Sequence, residues 1–233
     1  MATFVLIHGA FRGGWAWQRV RRLLQADGHQ VFAPSLTGAG ERAHLCDAGI
    51  TLETWVNDVT ALLEAEDLRD VMLVGHSQGG VVITAASEHC AERLSHLVYL
   101  DAPVPQDGQA AVDLVPQEIR ARCGEPPRDA IAQPIAVRAG EEFSEDEAAW
   151  MNARLTPMPV RPSFDVVRLT NPQALALPRT YIFCEGTPEF FPSVFTRRRF
   201  DAEGVAYRTL AAGHDVMLSQ PEMVAALLRE LAK

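Results

Sequence analysis

The stretch that most constrains this chain is Gly75-His76-Ser77-Gln78-Gly79, which follows the apolar run Val71-Met72-Leu73-Val74 and opens into Gly80-Val81-Val82-Ile83. A strand runs into a sharp turn, and a buried helix leaves it. Such a turn holds its central residue in a strained backbone conformation that only tiny neighbours tolerate, so Ser77 projects its hydroxyl from the tip of a sheet, between Gly75 and Gly79. A glycine-rich turn that merely joins a strand to a helix reads the same over five residues. What separates the two is whether the rest of the chain supplies a base, an acid and backbone donors.

Upstream, Phe4-Val5-Leu6-Ile7 is a continuous apolar run bounded by His8-Gly9, as a strand buried on both faces reads. Trp17, Val20 and Leu24 recur at helical spacing, and Asp27-Gly28 stops that helix before the strand Val31-Phe32-Ala33. Leu52, Trp55, Val56, Val59, Leu62 and Leu63 mark the next amphipathic helix. Leu97-Val98-Tyr99-Leu100 is a fourth strand and ends at Asp101.

From Pro103 to Pro178 the alternation stops. Eleven of the fifteen prolines lie there, which excludes regular sheet and favours short helices in a loop-rich lid, one of them started by the capping box Ser144-Glu145-Asp146-Glu147. The core resumes with the strand Thr180 to Cys184, a helix near Val194 to Phe200 and the strand Ala206 to Leu210. A last helix is expected after Ser219-Gln220-Pro221-Glu222, with Met223, Leu227, Leu228 and Leu231 inward. Six strands separated by helices imply an α/β fold: a mostly parallel central sheet with helices on both faces, residues 1–102 and 179–233 forming the core and 103–178 a helical lid insertion. Ligands of such sheets bind at the carboxyl ends of the strands, where His8, Ser77, Asp101 and Glu185 fall.

A net charge of -9 would repel a nucleic-acid backbone and anionic lipid, which leaves a small molecule as the expected partner. No signal peptide or membrane span is evident, and Cys46, Cys90, Cys123 and Cys184 are scattered without metal-ligand spacing, so free thiols in the cytoplasm are expected. Oligomeric state stays open. Gly38-Ala39-Gly40-Glu41-Arg42-Ala43 matches a loose dinucleotide fingerprint, but it opens no helix, so Glu41 and Arg42 are expected to tie down a loop beside the pocket.

A serine hydroxyl needs an adjacent base, and the base needs a partner that fixes its tautomer. His214, in Ala211-Ala212-Gly213-His214-Asp215, combines a late position with a strand-end loop, whereas His29, His44, His89 and His96 read as surface or helix-end residues. An oxyanion hole takes two backbone N–H groups, one from Gln78 at the start of the helix after Ser77 and one from Ala10 after the first strand. Trp150, Met151, Met158 and Phe164, with Phe190 and Phe191, suggest either an apolar pocket for an aromatic or medium acyl group or plain packing.

Phe4 to Ala10 with Gly13-Gly14-Trp15, the turn at Ser77, and Gly213-His214-Asp215-Val216-Met217-Leu218-Ser219-Gln220-Pro221 together resemble the α/β-hydrolase superfamily. The chain is similar to its small branch of plant methyl esterases, hydroxynitrile lyases and bacterial esterase relatives. The resemblance implies serine-hydrolase chemistry without a cofactor, cleaving a small, largely apolar carboxylic ester through an acyl-enzyme. A lyase or cyclase, or a ligand receptor on the same scaffold, are the alternatives. Two departures stand out. Thr187 occupies the place of the family's usual aspartate, so Asp101 is preferred as the acid, with Glu185 and Glu189 as alternatives. Gly9 and Asp215 stand where the lyases carry threonine and lysine, and an acidic Asp215 would oppose a departing anion.

Overall fold

The computed structural model describes Met1 to Lys233, the side chain of Cys123 excepted. In chain order it runs β1 (Thr3–Ile7), α1 (Gln18–Ala26), β2 (Gln30–Phe32), α2 (Leu52–Ala65), β3 (Val71–His76), α3 (Gly79–Cys90) and β4 (Leu94–Leu100). Then come α4 (Gln117–Cys123), β5 (Ile131–Ala132), α5 (Glu145–Asn152), β6 (Met158–Pro159) and α6 (Pro172–Ala176). The chain closes with β7 (Arg179–Cys184), α7 (Pro192–Glu203), β8 (Arg208–Leu210), α8 (Val216–Ser219) and α9 (Pro221–Leu231). The main sheet has the order β2-β1-β3-β4-β7-β8, with every pairing parallel.

The strands read as unbroken apolar runs because alternate residues are buried in opposite layers. Phe4, Leu6, Met72 and Val74 pack with Trp17, Val20, Leu24 and Leu228 on the α1/α9 face. Val5, Ile7, Val71 and Leu73 pack with Trp55, Val59 and Ile83 on the α2/α3 face. Register brings the carboxyl ends together: Ile7 lies opposite Gly75, His76 opposite Leu100, Leu100 opposite Ile182 and Cys184 opposite Leu210. Whatever follows these strands is therefore gathered along one edge.

Residues 103–178 carry α4 to α6, and α5 begins with the expected capping box: the Ser144 hydroxyl accepts from the Glu147 N–H at 3.3 Å. Sheet is not absent from this segment, because β5 and β6 pair as a two-residue antiparallel ribbon. Pro159 fits there because a ribbon this short asks few donors of it. The last helix also differs from expectation. Gln220 is its N-cap, Ser219 belongs to α8 and donates to Glu142 at 2.9 Å, and Met223 is exposed while Val224, Ala225 and Leu228 face inward.

Among the described residues no helix is long and apolar enough to cross a membrane. Cys46, Cys90 and Cys184 are free thiols, and the side chain of Cys123 lies outside what the structure describes. Contrary to expectation the stretch around Gly40 does open a helix, a single 3₁₀ segment, Gly40–Leu45, which is too short and too tightly wound to present the row of N–H groups of an α-helix start. Instead Glu41 accepts from the Ser35 hydroxyl at 2.6 Å, and Arg42 binds Asp58 at 2.8 Å and Thr37 at 2.6 Å, which ties the loop down.

Candidate active site

Ser77 follows β3 directly and sits at φ 51°, in the left-handed region that costs a side chain energy unless the surroundings impose it. They do so by close packing. A Cβ on Gly75 would lie 2.5 Å from the Gly79 carbonyl oxygen, and one on Gly79 would lie 2.6 Å from that of Ile7. Only glycine lets α3 start this close to the strand tips. Gly9 is equally confined, since a Cβ there would meet Ser77 Cβ at 2.7 Å, so the Gly9–Ala10 peptide abuts the serine.

Asp101 ends β4 in the same left-handed region, at φ 44°, and is buried. Its Oδ2 is 2.5 Å from His214 Nδ1 and also accepts from the Thr187 hydroxyl at 2.5 Å, while its Oδ1 accepts from the Cys184 N–H at 3.2 Å. Burial works against this charge, but the hydrogen bond and charge of His214, with Thr187 and Cys184, hold the carboxyl below the ordinary range. Because Nδ1 faces a carboxylate, Nδ1 carries the ring hydrogen and Nε2 is left as the basic nitrogen. Glu185 and Glu189 are both exposed, and Glu189 is drawn off by Arg198. The structure thus pairs His214 with Asp101 and brings neither glutamate to it. Thr187 serves Asp101 as a donor.

Three features were not read from the sequence. Arg12 holds buried Asp215 through two contacts, Nε at 2.7 Å and Nη2 at 2.5 Å, and donates to the Ala10 carbonyl at 3.0 Å. Burial opposes the Asp215 charge, yet the adjacent guanidinium holds the carboxyl below its usual range. Asp215 is therefore a neutralised partner that ties the Ala10 loop to the His214 loop rather than a free negative charge. The second feature is His76, fully buried, with Nε2 2.8 Å from the His214 carbonyl oxygen and its ring 4.6 Å from that of His214. The third is His8, whose ring bridges Gly9 and Leu36. No period or spacing marks such contacts.

Burial pushes His8 down to about 4 and, with the His214 charge, His76 down to about 3. Both rings are neutral in the folded chain, whereas in the unfolded chain they titrate near about 6.5. A depressed folded value makes stability full above the unfolded value and lost as pH falls toward the folded one. Between about pH 6 and pH 4 the unfolding free energy is expected to drop, by at most about 3 kcal/mol per pH unit for two such sites near the middle of that window. Urea midpoints at pH 7, 6 and 5 measure this; a flat profile would mean that the rings take up protons without unfolding.

A cavity of about 500 Å³ contains Ser77, His76 and His214 together with Phe11, Arg12 and Phe191. Phe191 packs on the His214 ring at 4.5 Å. Beside it lies an apolar cavity of about 290 Å³ lined by Gln78, Val112, Val115, Ile119, Met158 and Phe164, and Phe11 and Phe190 face both spaces. Of the apolar residues considered for a pocket, Trp150 and Met151 serve packing instead: Met151 is buried in the α1/α9 layer and Trp150 meets Trp15 edge-on at 5.3 Å. Among the described residues no group of three or more His, Cys, Asp or Glu side chains is placed to hold a metal.

A parallel sheet of this order, a serine on a strained strand-to-helix turn and a histidine–aspartate pair on the neighbouring loops define a class. The chain matches the model of the alpha/beta hydrolase family over residues 4–227 and belongs to that family. Within it the chain falls in a branch of methylesterase type and is a carboxylic-ester hydrolase. It is 35% identical to a carbendazim hydrolyzing esterase of Nocardioides sp. (strain SG-4G), with 99% of this chain and 100% of the relative covered. It is 28% identical to salicylic acid-binding protein 2 of Nicotiana tabacum, covering 98% and 96%. Among solved structures, methylesterase MES16 from Arabidopsis superposes with a TM-score of 0.75 at 27% identity, covering 100% of this chain and 99% of that one.

Proposed function

We propose that the chain cleaves a small, largely apolar carboxylic ester through an acyl-enzyme on Ser77. The observation that carries this reading is the 2.5 Å contact of His214 Nδ1 with Asp101, which leaves Nε2 free to act on a serine lining the same cavity. Nε2 takes the hydroxyl proton as Ser77 Oγ attacks the carbonyl carbon. The N–H groups of Ala10 and Gln78 hold the oxyanion, Gln78 being aided by its place at the start of α3. His214 then gives its proton to the departing alkoxide and activates the water that releases the acid.

A leaving group must lie beside His214 to receive that proton, so the alcohol occupies the 500 Å³ cavity. The acyl group then extends past Gln78 into the apolar 290 Å³ cavity, roofed by α4 and β6 of the 103–178 segment, which acts as a lid. The test is rapid quenching of turnover on p-nitrophenyl butyrate followed by mass analysis. A mass gain of one butyryl group on the peptide bearing Ser77 is expected. Turnover with no such adduct at any quench time would favour direct attack on the ester by a water that His214 activates, whereas no turnover of this ester by a folded protein would favour a lyase or cyclase that uses the same residues for proton transfer alone.

A further inference from the structure

His8 directly follows β1, is buried, and makes two contacts whose polarity leaves no choice of tautomer. The Leu36 N–H points at its Nε2 from 3.0 Å, and a backbone N–H can only donate. Nε2 is therefore the acceptor, and in a neutral ring the hydrogen resides on Nδ1. Nδ1 lies 2.8 Å from the Gly9 carbonyl oxygen and donates to it, and a second donor, the Arg12 N–H of the following turn, reaches the same oxygen at a longer 3.4 Å. Burial, which pushes this ring down to about 4, keeps it neutral and so preserves the arrangement at working pH.

The Gly9 carbonyl belongs to the same planar trans unit as the Ala10 N–H, so the two point in opposite directions and fixing one fixes the other. That unit starts at the Gly9 Cα, which packs against Ser77 so closely that a Cβ there would meet Ser77 Cβ at 2.7 Å. Were the peptide turned over, its carbonyl oxygen would face the serine and its N–H would confront the Nδ1–H of His8, donor against donor. The next peptide is held independently, its Ala10 carbonyl accepting from Arg12 at 3.0 Å. We propose that His8 is the positioning residue of the oxyanion hole, its Nδ1–H locking the Gly9–Ala10 peptide with the Ala10 N–H turned toward Ser77. The inference rests on the acyl-enzyme reading above, since it is that reaction which develops an oxyanion.

The experiment compares His8→Leu, which cannot donate, with His8→Asn, whose amide nitrogen can take the place of Nδ1. For p-nitrophenyl butyrate, His8→Leu is expected to lose about 10²-fold in kcat with KM nearly unchanged, as expected for a displaced oxyanion donor. Affinity for a trifluoromethyl ketone, which binds as a tetrahedral adduct, should fall in parallel, and His8→Asn should recover at least about tenfold of both. A merely structural role would lower the unfolding midpoint of both variants and leave adduct affinity untouched, which would overturn the proposal. Should His8→Leu fail to fold, nitrogen chemical shifts of the wild-type ring decide: an Nδ1–H tautomer supports the lock and an Nε2–H tautomer overturns it. Ser77→Ala is the control. If it keeps turnover, the acyl-enzyme reading falls; if it is inactive while His8→Leu is not, only the present inference falls.

Discussion

Ser77→Ala is expected to lower kcat on p-nitrophenyl butyrate by about 10⁶-fold while leaving KM within a few-fold of wild type. The size of the loss follows from what is removed and what stays. The hydroxyl is the atom that forms the acyl bond, and no neighbouring group replaces it: His76 is spent on the His214 carbonyl, and Asp101 and Thr187 are bound to each other. The cavities are unchanged, so substrate still binds. The fold also survives, because the turn is imposed by the contacts of Gly75 and Gly79 rather than by any bond of the serine oxygen. Alanine at φ 51° meets the same strain that serine already bears. The check is steady-state kinetics beside a thermal melt. A variant that folds and still turns over at more than a hundredth of the wild-type rate would remove Ser77 from the chemistry.

The core was legible because its signals are local. Four continuous apolar residues ending at His8-Gly9 can be little else than a strand covered on both faces, and Gly-x-Ser-x-Gly after such a run has one common geometry. The Ser144 capping box was readable for the same reason, its two partners being three residues apart. What escaped reading lies between residues far apart in the chain. Arg12 and Asp215 are separated by 203 positions, and neither periodicity nor composition pairs them. Met223 sits at a position that suits either flank of the apolar stripe of α9, and only the packing of Val224 and Leu228 on α1 sets the helix's rotation. Ser219 was drawn into α8 because its hydroxyl had a better partner in Glu142 than the N-terminus of α9. The choice among Asp101, Glu185 and Glu189 turned on a few ångströms of loop path, which a sequence does not carry.

That choice carries the second large effect: Asp101→Asn is expected to lower kcat/KM by about 10⁴-fold in a protein that still folds. The backbone N–H of Cys184 demands an acceptor at Oδ1, so the amide oxygen of asparagine settles there and its NH₂ takes the place of Oδ2. The Thr187 hydroxyl adapts by rotating to accept. His214 has no such freedom. Facing a donor, its Nδ1 must accept, which moves the ring hydrogen to Nε2, and the nitrogen meant to take the serine proton then already holds one. The base is present, in place, and in the wrong tautomer. Glu185→Gln and Glu189→Gln should stay within about threefold of wild type, since both side chains are exposed and Glu189 answers to Arg198. Kinetics of the three variants beside their unfolding midpoints separate the outcomes. An Asp101→Asn enzyme within tenfold of wild type, with Glu185→Gln crippled, would place the acid after β7, where Thr187 now stands beside Asp101.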